Sequence, residues 1–301
     1  MRNVLTLSIF LIVMACSKTN EDIKITFGNH DLVSTSLAKS WDEAIPLGNG
    51  IIGALVWQKE GLLRMSLDNV NLWDLRPMEN LNTTDYKFSW VHEQWKRNNY
   101  KEVQNRFDEP YDNSPAPSKI PGAGLEFNIE NLGKTISARL SVEDAICQVK
   151  WGNGIEFNSF VHATDKVGWF KIKGVPKDFK PTLIPPAYNI AGKSDAESPV
   201  TGQDLRRLKY PKGNVVEDGN SITYTQEGWS GFSYNVNVTW LQVDDVLVGC
   251  WSISADFQER DKKTVAKDIV IEKLDEGYSN TFMTHKQWWK DYWKKSSISI
   301  P

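Results

Sequence analysis

Cysteine and histidine are scarce in this chain, three and four among 301 residues. No Cys-x-x-Cys pair and no His-Glu-x-x-His motif occurs, so the common zinc signatures are excluded and no metal or cofactor is expected. Positive charge is not in excess either. The 35 Lys and Arg face 38 Asp and Glu, a net charge of -3, which argues against nucleic acid as a partner. No apolar run reaches the ~20 residues that a membrane-spanning helix needs, and no solenoid or propeller repeat is present.

What the chain does have is tryptophan, 13 residues of it. Trp offers large flat apolar faces, useful in cores and for stacking on sugar rings. Hydrophobic residues at 40% and charged residues at 24% are ordinary for a soluble globular protein. The length allows one large domain or two ordinary ones.

The N-terminus reads as an export signal over residues 1–15. Met1-Arg2-Asn3 forms a short positive region, and Val4 to Met14 is an apolar stretch of signal-peptide length. It ends Val13-Met14-Ala15-Cys16, which resembles the lipobox of bacterial lipoproteins. An ordinary cleaved signal with an incidental Cys is the competing reading. As a lipoprotein, the chain would carry its acyl chains on Cys16, followed by a polar tether over residues 16–22. The expectation is an exported protein on a periplasm-facing or outer-membrane surface, touching the membrane through the lipid alone. The mature chain then keeps Cys147 and Cys250, both in strand-like runs. A disulfide and two buried thiols are both open.

The body, residues 23–277, reads as mainly β, a large antiparallel β-sandwich. Ile51 to Trp57 and Leu62 to Leu67 flank a turn at Glu60-Gly61. Alternation recurs in Ile136–Leu140, Ile146–Trp151 and Ile155–Val161, with Asn153-Gly154 making the last junction a hairpin. Further strands are predicted at Gly168–Ile172, Ser221–Thr225, Phe232–Val243 and Val246–Ile253. One helix is predicted over Tyr86–Phe107, a Pro-rich loop over Glu109–Pro121, and a surface loop over Ala187–Asn214. Tyr278 to Lys295 reads as a helix with Phe282, His285, Trp288, Trp289, Tyr292 and Trp293 on one face. Such a face needs a large apolar partner, so 278–301 is expected to be a linker helix leading to a domain absent from the chain.

Three blocks carry a family resemblance. Ser40-Trp41-Asp42-Glu43-Ala44-Ile45-Pro46-Leu47-Gly48-Asn49-Gly50-Ile51-Ile52-Gly53-Ala54 resembles the opening of glycoside hydrolase family 95 proteins, the α-L-fucosidase-like enzymes. Leu63 to Trp73 follows in family order, with Asp68-Asn69 where members usually have Asn-Glu. His285-Lys286-Gln287-Trp288-Trp289, then Tyr292-Trp293 and Ser296-Ser297-Ile298, resembles the helix joining the family's β-domain to its catalytic barrel. The resemblance implies a β-supersandwich, a helical linker, an (α/α)6 barrel and a small C-terminal β-domain. It also implies inverting cleavage of terminal α-linked sugars of fucose or galactose type. Inversion needs an acid and a base system across the ring. In the family those groups lie in the barrel, so no catalytic residue is carried onto this chain, and the chain alone is expected to be inactive. The partners implied are a glycan or oligosaccharide and the missing barrel.

The candidate contacts to substrate or to the barrel are Trp41, Asn49, Asp68, Trp73, Asp74 and Arg76. The glycines around Asn49 let backbone approach a neighbour closely. That turn either joins core strands or offers the Asn49 amide to a sugar. Trp41 and Trp73 either stack on a sugar or pack. Asp68, Asp74 and Arg76 form either a local ion-pair network or a hydroxyl-recognition set. Trp288, Trp289 and Trp293 are assigned to linker packing. Asp42/Glu43 and Asp108/Glu109 are merely adjacent in sequence, which does not make a catalytic pair. Two other readings compete: a surface glycan-binding lipoprotein working alone, and an inert gene fragment.

Overall fold

The computed structural model describes residues 30–78, 87–109, 114–188, 204–256 and 266–296. The signal and tether, including Cys16, lie outside the described residues, as does Tyr86.

The expected sandwich is present. Its larger sheet has nine antiparallel strands. In spatial order these are β1 (Leu32–Ser34), β8 (Thr135–Ser141), β9 (Ile146–Trp151), β10 (Glu156–Val161), β11 (Gly168–Lys173), β16 (Val246–Asp256), β15 (Ser233–Val243), β14 (Ser221–Glu227) and β13 (Asn214–Asp218). The smaller sheet has five, β12 (Thr182–Ile184), β7 (Ala123–Asn128), β4 (Leu62–Asn69), β3 (Ile52–Lys59) and β2 (Ile45–Gly48), again antiparallel. A short ribbon pairs β5 (Trp73–Asp74) with β6 (Ser118–Lys119).

Alternation decides which residues meet between the sheets. Along β15, Tyr234, Val236, Val238 and Trp240 face inward and are buried, and across the register Val236 meets Ile253 and Val238 meets Trp251 of β16. Ile52, Ala54, Val56, Leu63, Met65, Leu67, Leu125 and Phe127 answer from the smaller sheet. Phe127 sits edge-on to Phe157 and Phe170, at 6.0 and 5.1 Å between centroids. Each such fully buried side chain contributes roughly 1.5–3 kcal/mol. Gly168 is required by this packing, because a Cβ there would lie 2.2 Å from the Trp251 ring.

The outer face of the larger sheet is also covered, by helices α3 (Ala266–Glu276) and α4 (Tyr278–Trp293). Gly277, at φ +82, separates them; its N–H closes α3 on the Lys273 carbonyl. Phe160, Val167, Trp169 and Cys250 from the sheet and Val270, Tyr278 and Phe282 from the helices form a second core. Tyr278 stands edge-on to Trp169, and Phe282 packs on Phe160 at 5.1 Å.

Several sequence expectations change. The helix predicted over 86–107 is two, α1 (Phe88–Lys96) and α2 (Tyr100–Phe107). Asn98 takes φ +54 between them, a conformation Asn tolerates and a helix does not. The Pro-rich stretch contains β6. The segment predicted as a surface loop over 187–214 buries Leu205, Leu208 and Tyr210 in the main core. Most directly, the aromatic stripe of α4 is partly satisfied within the chain. Phe282 and His285 face the sheet, and Trp293 Nε1 donates to the Val142 carbonyl at 2.9 Å. Trp288 and Tyr292 remain exposed, stacked at 5.3 Å, and Trp289 is half-buried between them and Trp293.

Cys147 and Cys250 are free and buried. They lie on β9 and β16 with two strands between, about 14 Å at the ordinary strand spacing and beyond disulfide reach. Burial pushes both thiols well above the usual range.

Candidate functional site

One end of the sandwich gathers most of the predicted residues. There the turn between β2 and β3, the strap from β4 into β5, strand β6 and the turn between β10 and β11 come together.

Asn49 organises the first turn. Its Oδ1 accepts from the N–H groups of Ile51 and Ile52, both at 3.0 Å, while Gly50 takes φ +86. Its Nδ2 donates to the carbonyls of His162 and Asp165, both at 2.9 Å. Both donors and the acceptor are therefore used within the fold, and the amide is a clamp rather than a group offered to a sugar.

The clamp continues into the helices. His162 Nδ1 accepts from the Asp165 N–H at 3.0 Å. Its proton therefore sits on Nε2, which donates to Thr284 Oγ1 of α4 at 3.0 Å. Thr284 in turn donates to the Thr281 carbonyl. Lys273 of α3 pairs with Asp165 at 2.8 Å. Burial holds the His162 imidazole below its usual pKa, against the pull of the Asp165 charge. His285 is fully enclosed. Burial lowers it to about 4, although its Nε2–H donates to the Asp144 carbonyl at 2.9 Å.

Asp68 and Trp73 converge on a residue that sequence reasoning did not single out, Lys119. The Lys119 ammonium donates to Asp68 Oδ1, to the Asn69 carbonyl at 2.9 Å and to the Ile120 carbonyl at 3.3 Å. Trp73 pairs with Lys119 across the ribbon. Its Nε1 donates to the Val70 carbonyl and its ring is 42% exposed. Asn69 fixes the strap by donating to the Ile253 carbonyl at 3.0 Å.

Asp74 faces the other way and is buried. It accepts from the Arg76 N–H at 2.9 Å, from Arg76 Nη2 at 2.7 Å and from the Tyr210 hydroxyl at 2.8 Å. Arg76 also donates to the Leu208 carbonyl. Burial pushes the Tyr210 phenol up, and the neighbouring Asp74 adds to this. This is the local network of the two readings, and it is what carries the 204–210 segment into the core. Trp41 is left apart. It lies half-buried on a 3-10 turn (Trp41–Glu43) ahead of β2, whereas Asn49 follows that strand. Among the described residues no cluster of three His, Cys, Asp or Glu could hold a metal.

The signals for the missed residues were weak. Lys119 lies within the Pro-rich stretch, His162 and Asp165 sit in a short turn after a strand, and Tyr210 lies in a polar segment. Only the long-range pairing brings them in.

Residues 32–179, just under half of the chain, match the family model described as glycosyl hydrolase family 65, N-terminal domain. This portion is thus similar to the N-terminal domain of a glycosyl hydrolase family. The match is to family 65 and not to family 95, which the motifs resemble. It takes in the Asn49 turn and the Asp68–Arg76 strap; the third motif block, in α4, lies beyond it. No curated protein matches the chain. Among solved structures, a human-microbiome protein assigned as a kojibiose phosphorylase is similar at 13% identity and a TM-score of 0.48. That alignment covers 88% of this chain and 35% of the other, so the chain spans about a third of that protein's length.

Proposed function

We propose that the chain supplies the N-terminal β-sandwich of a glycoside hydrolase acting on terminal α-linked sugars, of fucose or galactose type, in complex glycans. In this reading the sandwich engages glycan and does not itself cleave it. The observation that carries the assignment to a glycosyl hydrolase N-terminal domain is the family match over 32–179, which covers the turn and strap that build the site; the fucose or galactose type rests on the family 95-like motif blocks alone. The separation of binding from cleavage is supported by the carboxylates at this end. Asp68 and Asp165 are paired with lysines, and Asp74 is sealed against Arg76 and Tyr210. An inverting pair needs an acid and a base held apart across a water-sized gap. Cys16 lipidation would keep the sandwich at a membrane surface.

A second reading, glycan binding by the sandwich with no catalytic partner, is favoured by the seating of α4 on the larger sheet, which hides Phe282 and His285 without another domain.

The test is to probe the purified chain against glycans ending in α-linked fucose or galactose, and to assay it on the aryl α-glycosides of both sugars. Binding without aryl release is expected. Failure to bind any glycan overturns the proposal, and enzyme-like turnover overturns the placement of cleavage outside the sandwich.

A further inference from the structure

The outer face of the five-stranded sheet is not uniform. One row across it is bulky: Trp57, Arg64 and Glu126 lie side by side in register, with an Arg64–Glu126 ion pair and Trp57 Nε1 donating to Ser66 Oγ at 3.0 Å. The next rows are small. Ser66 stands between Leu55 and Gly124, and Asp68 is opposite Gly53, which in turn pairs with Gly48. Small side chains beside large ones leave a trough. It holds a cavity of about 300 Å³, walled by Pro46, Leu55, Ile120 and Pro121 and bounded at one end by Asp68 and Lys119.

We propose that this trough is a binding site for a single neutral pyranose ring. The inference deepens the proposed function and rests on it. Three features select the ligand. The volume lies at the lower end of the range for small-molecule pockets and admits one ring rather than a chain. Pro46, Leu55 and Pro121 offer apolar surface to the C–H face of a sugar.

The third feature is charge. Asp68 and Lys119 cancel each other, so the trough favours an uncharged ligand over an ion. All three ammonium protons of Lys119 are already donated, to Asp68, Asn69 and Ile120. Lys119 therefore acts as a brace. It holds one Asp68 oxygen and turns the half-exposed carboxylate into a fixed acceptor for sugar hydroxyls.

The experiment is an amide NMR titration of the full chain with methyl α-L-fucopyranoside, methyl α-D-galactopyranoside and methyl α-D-glucopyranoside. At least one should shift the Gly53, Leu55, Ser66 and Lys119 amides. Asp68→Asn should weaken that binding about tenfold, the scale of a hydrogen bond to a charged group. Leu55→Trp, which fills the trough, should abolish it while both variants keep the wild-type thermal melt. Should Leu55→Trp unfold, Lys119→Met, which releases the Asp68 carboxylate from its brace, takes its place and should weaken binding several-fold. Shifts confined to other surfaces, binding that survives these substitutions, or no shift with any of the three sugars would overturn the proposal. If the wild type still binds glycans under any of those outcomes, the trough is wrong and the broader function stands. Loss of all glycan binding removes both.

Discussion

The Asn49 amide nitrogen lies 2.9 Å from the carbonyl oxygen of His162, in the turn that joins β10 to β11 of the opposite sheet. Through that bond the glycine-rich turn grips the turn between β10 and β11, which His162 and Asp165 in turn fasten to α4 and α3. The most recognisable sequence motif thus works as a joint between the sheets and the terminal helices.

Asn49→Ala removes four hydrogen bonds and leaves backbone groups of both turns without partners. A loss of about 2–4 kcal/mol is expected in urea unfolding. Asn49→Asp keeps the acceptor for Ile51 and Ile52 but places a carboxylate against two carbonyls, so it should rescue little. Full rescue by Asp would show that the grip on His162 and Asp165 contributes nothing.

Asp74→Ala should cost about 3–5 kcal/mol, because it leaves the Arg76 charge and the Tyr210 hydroxyl without their buried partner. Tyr210→Phe removes one bond and should cost about 1–2 kcal/mol. Equal effects from the two in thermal or denaturant melts would contradict the central place given to Asp74.

Stability should fall on acidification through the helix seam. Burial lowers His285 to about 4 and lowers His162 as well, so the unfolded chain binds more protons than the folded one below the ordinary histidine pKa. Stability is full above pH ~6.5 and declines as pH drops toward 4, by on the order of 3 kcal/mol for His285. Asp144, Asp165, Glu276, Lys273 and Lys286 are the charged groups around the two rings. His285→Phe should flatten the decline between pH 6.5 and 4. An unchanged pH profile for that variant would refute the assignment.

Cys147 and Cys250 should resist thiol-labelling reagents in the native protein and react fully in denaturant, since both are buried with raised pKa values. Peptide mapping of the labelled chain reads this directly. Fast native labelling of either would place it at the surface.

The long strands were legible because alternation is a local signal. Ile146–Trp151 has the predicted bounds, and β15 and β16 differ from them only at their ends. Strands β1, β2, β5, β6 and β12, of two to four residues, and the longer β7 and β13 were not legible, since pairing and not pattern makes them strands. Helix α3 was missed for a related reason: its buried residues, Ala266 and Val270, gain meaning only against the sheet they pack on. At the site, the types of Asn49, Asp68 and Asp74 pointed to polar work. Their partners His162, Lys119 and Tyr210 are distant in sequence, so neither the clamp nor the brace could be read from spacing.

The most direct measurement is a crystal structure of the chain grown with the α-glycoside it binds best. The sugar ring should lie in the trough of the five-stranded sheet, with a hydroxyl on the Asp68 carboxylate and Pro46, Leu55 and Pro121 against its C–H face. A sugar seated elsewhere on the chain, with Asp68, Leu55 and Lys119 untouched, would contradict the proposed site.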